Sequence, residues 1–258
     1  METMESICKL AGRCKYAGKS GVCNALCSPF ISMHGDGKTG LWRATNVPPK
    51  YKNSFVSNLP IQKDNPAAHT FIHAYTSNIL ENVQNGVGLF FYSIPNAENK
   101  LGTGTGKTTS AVALLHEYLI ARVVENETGG RRIENNPALF YKASELQTLY
   151  NAQFRGTPEM QEKASHKYYK VKHLMMTAEM LVLDDIGIRQ KITDAFENEL
   201  TEIIDARDSN VLMTIYTSNL PISKLANTLG ERIASRIEGM TEEVAFVGKD
   251  HRKGGVLK

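Results

Sequence analysis

Residues 101–109 read Leu-Gly-Thr-Gly-Thr-Gly-Lys-Thr-Thr, and their reading decides the fold. An apolar run, VGLFFYSI, precedes them at 87–94, and a helical pattern, SAVALLHEYLIARVV, follows them. Strand, glycine-rich loop and helix in that order surround a polyphosphate with backbone N–H groups at a helix N-terminus. Gly104, Thr105 and Gly106 form the cradle, Lys107 reaches the terminal phosphates, and the Thr108 hydroxyl, with Thr109 beside it, can hold Mg²⁺. The signature ordinarily has a further glycine where this chain has Leu101; the nearest glycines are Gly102 and Gly104. Gly-Lys-Thr alone also occurs in flexible surface turns, so the flanking strand and helix carry the reading.

The rest of the chain sets bounds. Its 258 residues suffice for one large domain, or a medium one with a small appendage. A net charge of +3 says little about partners, which leaves that argument to local runs. No segment has the roughly 18 uninterrupted apolar residues that span a bilayer. The opening METMESICKLAGRC lacks an apolar core of signal-peptide length, so a cytoplasmic protein with no membrane partner is expected.

All four cysteines, Cys8, Cys14, Cys23 and Cys27, lie at the front in the spacing C-x5-C-x8-C-x3-C. In a reducing compartment such a cluster suits a metal better than two disulfides. Zn²⁺ takes four tetrahedral N/S ligands and can supply the folding energy of a small loop-rich segment. His34 could replace one cysteine, and redox or unliganded thiols are the alternatives. Four thiolates would leave no open position for catalysis by the metal. A zinc-binding module over residues 1–40 is therefore expected. The Gly-, Pro-, Asn- and Lys-rich stretch 41–64 reads as a linker anchored by Trp42 and Tyr51.

From residue 65 onward strands alternate with helices. A helical pattern, AAHTFIHAYTSNILENV, precedes the strand at 87–93. ALFYKA (138–143) and MLVLDD (180–185) are strands, as is VLMTIYTSN. SELQTLYNAQF is a helix with Ser144 as its N-cap, and FENELTEIIDARDSN is a helix ending near Asn210. LGERIASRIEGM is a last helix before a short strand, EVAFVG. This alternation predicts an α/β fold with a parallel sheet covered on both faces.

Three further features carry chemistry. LVLDDIG ends a buried strand in two carboxylates, at the end where open α/β sheets bind ligands. Asp184 is placed to hold Mg²⁺, and Asp185 to orient or deprotonate the water that attacks a γ-phosphate. Taken alone, the two aspartates could merely cap the strand. Asn219, at the tip of TIYTSN, could touch the γ-phosphate or that water, or be an ordinary turn residue before Pro221. Arg232 and Arg236 are four apart on one helix face. They form either a solvated surface or a cation pair that completes a neighbouring subunit's site, and the second role needs oligomerisation.

The succession VPPKYKNSF, LFFYSIPN, GTGTGKTTSA, LVLDDIG, TIYTSN and GERIASRIEG resembles the DnaC/DnaI-like helicase loaders and the related IstB-like transposition helper ATPases, which are AAA+ proteins. The resemblance covers residues 47–248. It implies an AAA+ P-loop domain over 65–258 with little or no lid, since few residues follow Pro221. It places residues 47–51 near the adenine of ATP and gives Lys107 and Thr108 the phosphate-loop roles. Asp184 and Asp185 take the Mg²⁺ and water roles, and Asn219 the sensor role. Arg232 and Arg236 are the trans-acting arginines, with Arg236 favoured. Asp185 stands where many relatives carry the longer Glu, which implies sound nucleotide binding but slow hydrolysis. Arg252 is either a late sensor or part of a charged tail. The front module resembles the zinc-binding, helicase-contacting domain of DnaI-type loaders.

KASHKYYKVKHLMM (163–176) interleaves cations with Tyr168 and Tyr169, as single-strand binders do, although inward-packed tyrosines on an exposed helix would read the same. The function expected is ATP-dependent loading of a hexameric replicative DNA helicase by a homo-oligomer that binds single-stranded DNA, using ATP, Mg²⁺ and Zn²⁺. A transposition helper, a small-molecule kinase and a non-enzymatic adaptor are the rivals.

Overall fold

The computed structural model describes residues 3–36, 39–187 and 192–251. Arg252 lies outside the described residues. Five strands, β1 (Gly88–Ser93), β2 (Ala138–Lys142), β3 (Met180–Ile186), β4 (Met213–Ser218) and β5 (Thr241–Phe246), form one sheet in the order β2-β3-β4-β1-β5. Every pairing is parallel. Parallel strands buried on both faces read as continuous apolar runs, which is why GLFFYS and MLVLDDI stand out in the sequence.

Three short helices come first: α1 (Met4–Ile7), α2 (Ser28–His34) and α3 (Leu41–Ala44). They are followed by α4 (Pro66–Ser77), α5 (Ile79–Gln84) and α6 (Lys107–Glu127). The second half holds α7 (Ala143–Ala152), α8 (Pro158–Thr177), α9 (Asp194–Ser209), α10 (Ile222–Leu229) and α11 (Glu231–Met240). Two apolar clusters divide them. Leu89, Phe91, Phe140, Val182 and Ile215 face α4, α5 and α6. On the opposite face Phe90, Leu139, Leu181, Leu183 and Tyr216 meet α7 to α11. The alternation along each strand sends successive side chains to opposite faces, so helices cover both.

Several elements differ from the sequence expectation. The helix expected at 65 is two helices, broken at Asn78, whose backbone leaves helical geometry (φ −121°, ψ 32°). Ser144 does not cap α7: the cap position lies two residues earlier, at Lys142, and has no side-chain cap bond. The last expected helix is α11, entered through Gly230 at φ +87°, and α10 before it is a helix that the sequence pattern did not reveal.

The front of the chain forms no separate module. Leu10 and Met33 are buried in the same cluster as the sheet, and Arg13 reaches Glu117 of α6 at 2.9 Å. Residues 41–64 are likewise packed onto the domain, since Val56, Leu59 and Ile61 are buried. Trp42 stacks on His116 of α6 with ring centroids 4.2 Å apart. Burial of these scattered apolar residues outweighs the loop-like composition around them.

Buried cations also fix the frame. Arg207, completely buried, donates to the carbonyls of Met175, Ala178 and Met213 and to the Thr214 hydroxyl. It thereby locks the end of α8 to the start of β4. Burial holds its guanidinium pKa down at about 10. No helix among the described residues is long and apolar enough to cross a membrane.

Candidate nucleotide site

The C-terminal ends of β1, β3 and β4 bring the expected residues together. β1 ends at Ser93, and α6 begins at Lys107 with Gly106 as its cap in the left-handed region (φ 103°). Gly102 explains the missing glycine. Its φ is +60°, and a Cβ there would lie 2.5 Å from Ser93 Cβ, so the close approach to the strand falls at Gly102, while Leu101 is exposed.

Lys107 Nζ donates to Ser93 Oγ, to the Gly102 carbonyl at 3.1 Å and to Asn219 Oδ1 at 2.9 Å. The ammonium is buried at the sheet's C-terminal edge with oxygen partners around it. Such a group exchanges one oxygen for another at small cost, which suits it to a phosphate oxygen.

The carboxylate pair is shaped by a bulge. Leu183 pairs with Tyr216 and Ile186 with Ser218, so Asp184 and Asp185 together oppose Thr217 alone. Asp185 takes φ +59°, a left-handed conformation that costs a non-glycine residue roughly 1–2 kcal/mol. The bulge turns Asp184 inward and leaves Asp185 on the cavity wall. Asp184 Oδ1 accepts from Thr108 Oγ1 at 2.8 Å and from Thr217 Oγ1 at 2.7 Å. Burial, and then the charge of Asp185, raise the Asp184 carboxyl to about pKa 6 against the two hydroxyl bonds that stabilise its anion. Thr108 and Asp184 offer hard oxygen donors at one point, the chemistry that Mg²⁺ requires.

These groups open into a cavity of about 500 Å³. Thr105, Lys107, Thr108, Asp185 and Asn219 line it together with Lys50, Tyr51 and His251. Gly104, Gly106 and Thr109 line it as well. Ser93, Thr217 and His251 are contributors that the sequence reading missed. Ser93 and Thr217 sit at the ends of recognisable strands, but nothing in their identity signals a role.

Arg232 and Arg236 are not in this cavity. Arg232 donates to Asp205 at 2.7 Å, and Arg236 pairs with Asp205 and with Asp208 at 3.1 Å, all on α9. Both side chains are partly exposed.

The four cysteines line a second cavity, of about 560 Å³. Burial raises the Cys8 thiol pKa, and the charges of Cys27, Cys14 and Cys23 push it the same way, placing all four in one neighbourhood. Among the described residues, however, no three His, Cys, Asp or Glu side chains are gathered tightly enough to hold a metal ion. The expected zinc cluster is thus not present as a closed site, because the sulfurs stand around the cavity. His34 is not on that wall; its Nε2 accepts from the Lys9 amide at 3.2 Å.

The aromatic and basic stretch on α8 is divided between core and surface. Tyr168 is buried and its hydroxyl donates to Glu199 at 2.7 Å, so for this tyrosine the inward-packed alternative holds. Lys172 is buried and pairs with Glu199 at 2.7 Å and with the exposed Glu202 at 2.6 Å. Lys167, Tyr169 and Lys170 are exposed.

No protein-family model matches the chain, and no curated protein does. Solved structures do. The chain resembles the DnaC helicase loader with a TM-score of 0.54 and 25% sequence identity over 77% of this chain and 99% of that one. DnaI superposes with a TM-score of 0.56 at 16% identity, covering 78% and 94% of the two chains. The replication initiator DnaA, bound to AMPPCP and single-stranded DNA, matches with a TM-score of 0.50 at 18% identity over 77% of this chain and 50% of its own. The parallel five-stranded sheet with its phosphate loop is an AAA+-type P-loop α/β fold, and the chain is similar to the DnaC-like loaders.

Proposed function

We propose that this chain is an AAA+ ATPase that loads a hexameric replicative DNA helicase. The observation that carries the reading is the convergence of Lys107, Thr108, Asp184 and Asn219 at the ends of three adjacent strands. ATP is the substrate. Its phosphates lie on the N–H groups of Gly104 to Thr109, its base toward Lys50 and Tyr51, and Mg²⁺ held by Thr108 and Asp184 neutralises phosphate charge. Lys107 passes from its protein oxygens to the terminal phosphate. Asp185, on the cavity wall, orients the attacking water, and Asn219 keeps that water and Lys107 in register. A carboxylate as short as Asp185 makes the hydrolytic step slow, so turnover is stimulated by partners.

Arg236, with Arg232 beside it, serves the site of a neighbouring subunit. Their placement on α11 outside their own cavity supports a role in trans, with the α9 carboxylates holding them until subunits meet. Lys167, Tyr169 and Lys170 form what remains of the proposed contact with single-stranded DNA. Residues 1–40 grip the helicase and are drawn tight by Zn²⁺ on Cys8, Cys14, Cys23 and Cys27. Four thiols lining one cavity are the ligand type that metal takes. The test is co-purification of the full chain with a candidate helicase, with and without ATP. Capture by the wild type that Lys107→Ala weakens supports the loader reading; capture indifferent to ATP and to Lys107→Ala opposes it.

A further inference from the structure

Two buried asparagines join the segment after β5 to the phosphate loop. Asn65 Oδ1 accepts from the Val247 amide at 2.6 Å, and its Nδ2 donates to the Val247 carbonyl at 3.0 Å and toward the Thr105 carbonyl at 3.5 Å. Asn99 Nδ2 donates to the Thr103 carbonyl at 2.7 Å and to the Gly248 carbonyl at 3.1 Å, while its Oδ1 accepts from the Thr103 amide. One asparagine precedes α4 and the other sits in PNAENKLG, residues 95–102, between β1 and the phosphate loop. Each spends its amide on the same two chain segments, 103–105 and 247–248. Both are nearly inaccessible to water, so these bonds are costly to break.

Held in this way, residues 247–251 cross the phosphate loop. The His251 amide donates to the Gly104 carbonyl at 3.2 Å, and Thr103 Oγ1 donates to Asp250 Oδ2 at 2.9 Å. A Cβ on Gly104 would collide with the Asp250 carboxylate. His251 lines the cavity shared with Lys107 and Thr108, and its Nε2 is 2.7 Å from Asp64 Oδ2.

We propose that residues 247–251 form a strap that senses the polyphosphate of a bound nucleoside triphosphate, His251 as the attractive contact and Asp250 as the opposing charge. Asn65 and Asn99 are its positioning residues. The inference rests on the reading of the cavity as a nucleotide site. Asp64 holds the imidazole through its Nε2. Asp250 puts a carboxylate against the loop that receives the phosphates, so loading the loop with negative charge strains the Thr103–Asp250 contact. The strap therefore shifts with the nucleotide, and the PNAENKLG stretch exists to register that shift.

Calorimetric titration of ATP into the full chain tests this, with Lys107→Ala as the control. His251→Ala should weaken ATP about tenfold, the loss of one charge-assisted contact. Asp250→Asn, which retains an oxygen for Thr103, should bind ATP on the order of threefold more tightly. A purely structural strap would not move the two in opposite directions. Asn99→Asp should behave like His251→Ala in binding, and ATP should change amide exchange at residues 247–251 in the wild type. If His251→Ala and Asp250→Asn both bind like wild type while Lys107→Ala loses binding, the nucleotide site stands and the strap proposal falls. If wild type and Lys107→Ala bind equally or not at all, the nucleotide reading fails and takes this inference with it.

Discussion

Thr217 Oγ1 donates to Asp184 Oδ1 at 2.7 Å while accepting the amide of Asp185 at 2.9 Å, so one hydroxyl secures both halves of the carboxylate pair. The bulge that sets two residues against one leaves the Asp185 amide without a strand partner, and Thr217 supplies it. Thr217→Val keeps the shape and removes the hydroxyl. It should cost about 1–3 kcal/mol of stability, the penalty for stranding buried polar groups. Turnover of ATP should fall roughly tenfold, a loss equivalent to one misplaced hydrogen bond, with little change in ATP affinity. Thr217→Ser should restore both. Denaturation curves and steady-state kinetics of the three proteins provide the check; an equal loss of binding and turnover would contradict the positioning role.

Arg236 and Lys107 test whether sites are shared. The ion pairs of Arg236 with Asp205 and Asp208 are partly exposed, so Arg236→Ala should change stability by no more than about 1 kcal/mol. Each of Arg236→Ala and Lys107→Ala alone should abolish ATP turnover. Mixed in equal amounts they should recover part of it, because a Lys107→Ala subunit can lend its arginine to an Arg236→Ala subunit with an intact phosphate loop. Mixtures as inactive as their parts would exclude a site completed in trans.

How much of this was legible depends on whether a residue's neighbours are near in sequence. β1 and β3 stood out because strands buried on both faces are largely apolar. Lys107, Thr108, Asp184 and Asn219 were named from short motifs, and they meet in space. Gly102 was visible but not distinguished from Gly104, since only its approach to Ser93 shows which glycine the loop needs. Val56, Leu59 and Ile61 were taken into a linker because three apolar residues in an irregular segment have no period. The direction of Tyr168 turned on Glu199, 31 residues away, and Asn65 on Val247, 182 residues away. No local pattern encodes such partners. The left-handed Asp185 was equally hidden, because it arises from the register between β3 and β4.

The zinc proposed for the four cysteines predicts a metal-dependent front. Wild-type chain purified under reducing conditions should contain one equivalent of zinc, and Cys14→Ser and Cys27→Ser should each lose it. Because Leu10 and Met33 join the main core, metal removal should loosen residues 3–36 and lower the melting temperature by a few degrees, while nucleotide binding persists. Metal analysis with thiol titration decides: four thiols reacting freely in protein without zinc would refute the site.

His116 sets a pH limit on the fold. It lies between Trp42 and Phe55 with ring centroids 4.2 and 5.4 Å away, and its Nδ1 lies 2.8 Å from the Ser54 carbonyl. Burial lowers its pKa from 6.5 to about 4; the bond to Ser54 opposes that shift and the charge of Lys9 adds to it. The unfolded chain takes up this proton near pH 6.5, the folded chain only near 4, so between those values the unfolded state binds more protons. The contribution is then complete above pH 6.5 and lost as pH falls towards 4, with a total of about 3 kcal/mol from a shift of this size. His116→Gln keeps a donor for Ser54 and cannot charge. The stability difference between wild type and His116→Gln should therefore be constant above pH 7, then move in favour of the variant by about 1.4 kcal/mol per pH unit at the steepest point. Urea unfolding at a series of pH values measures it, and a difference flat from pH 7 to pH 4.5 would show that His116 is not buried as a neutral ring.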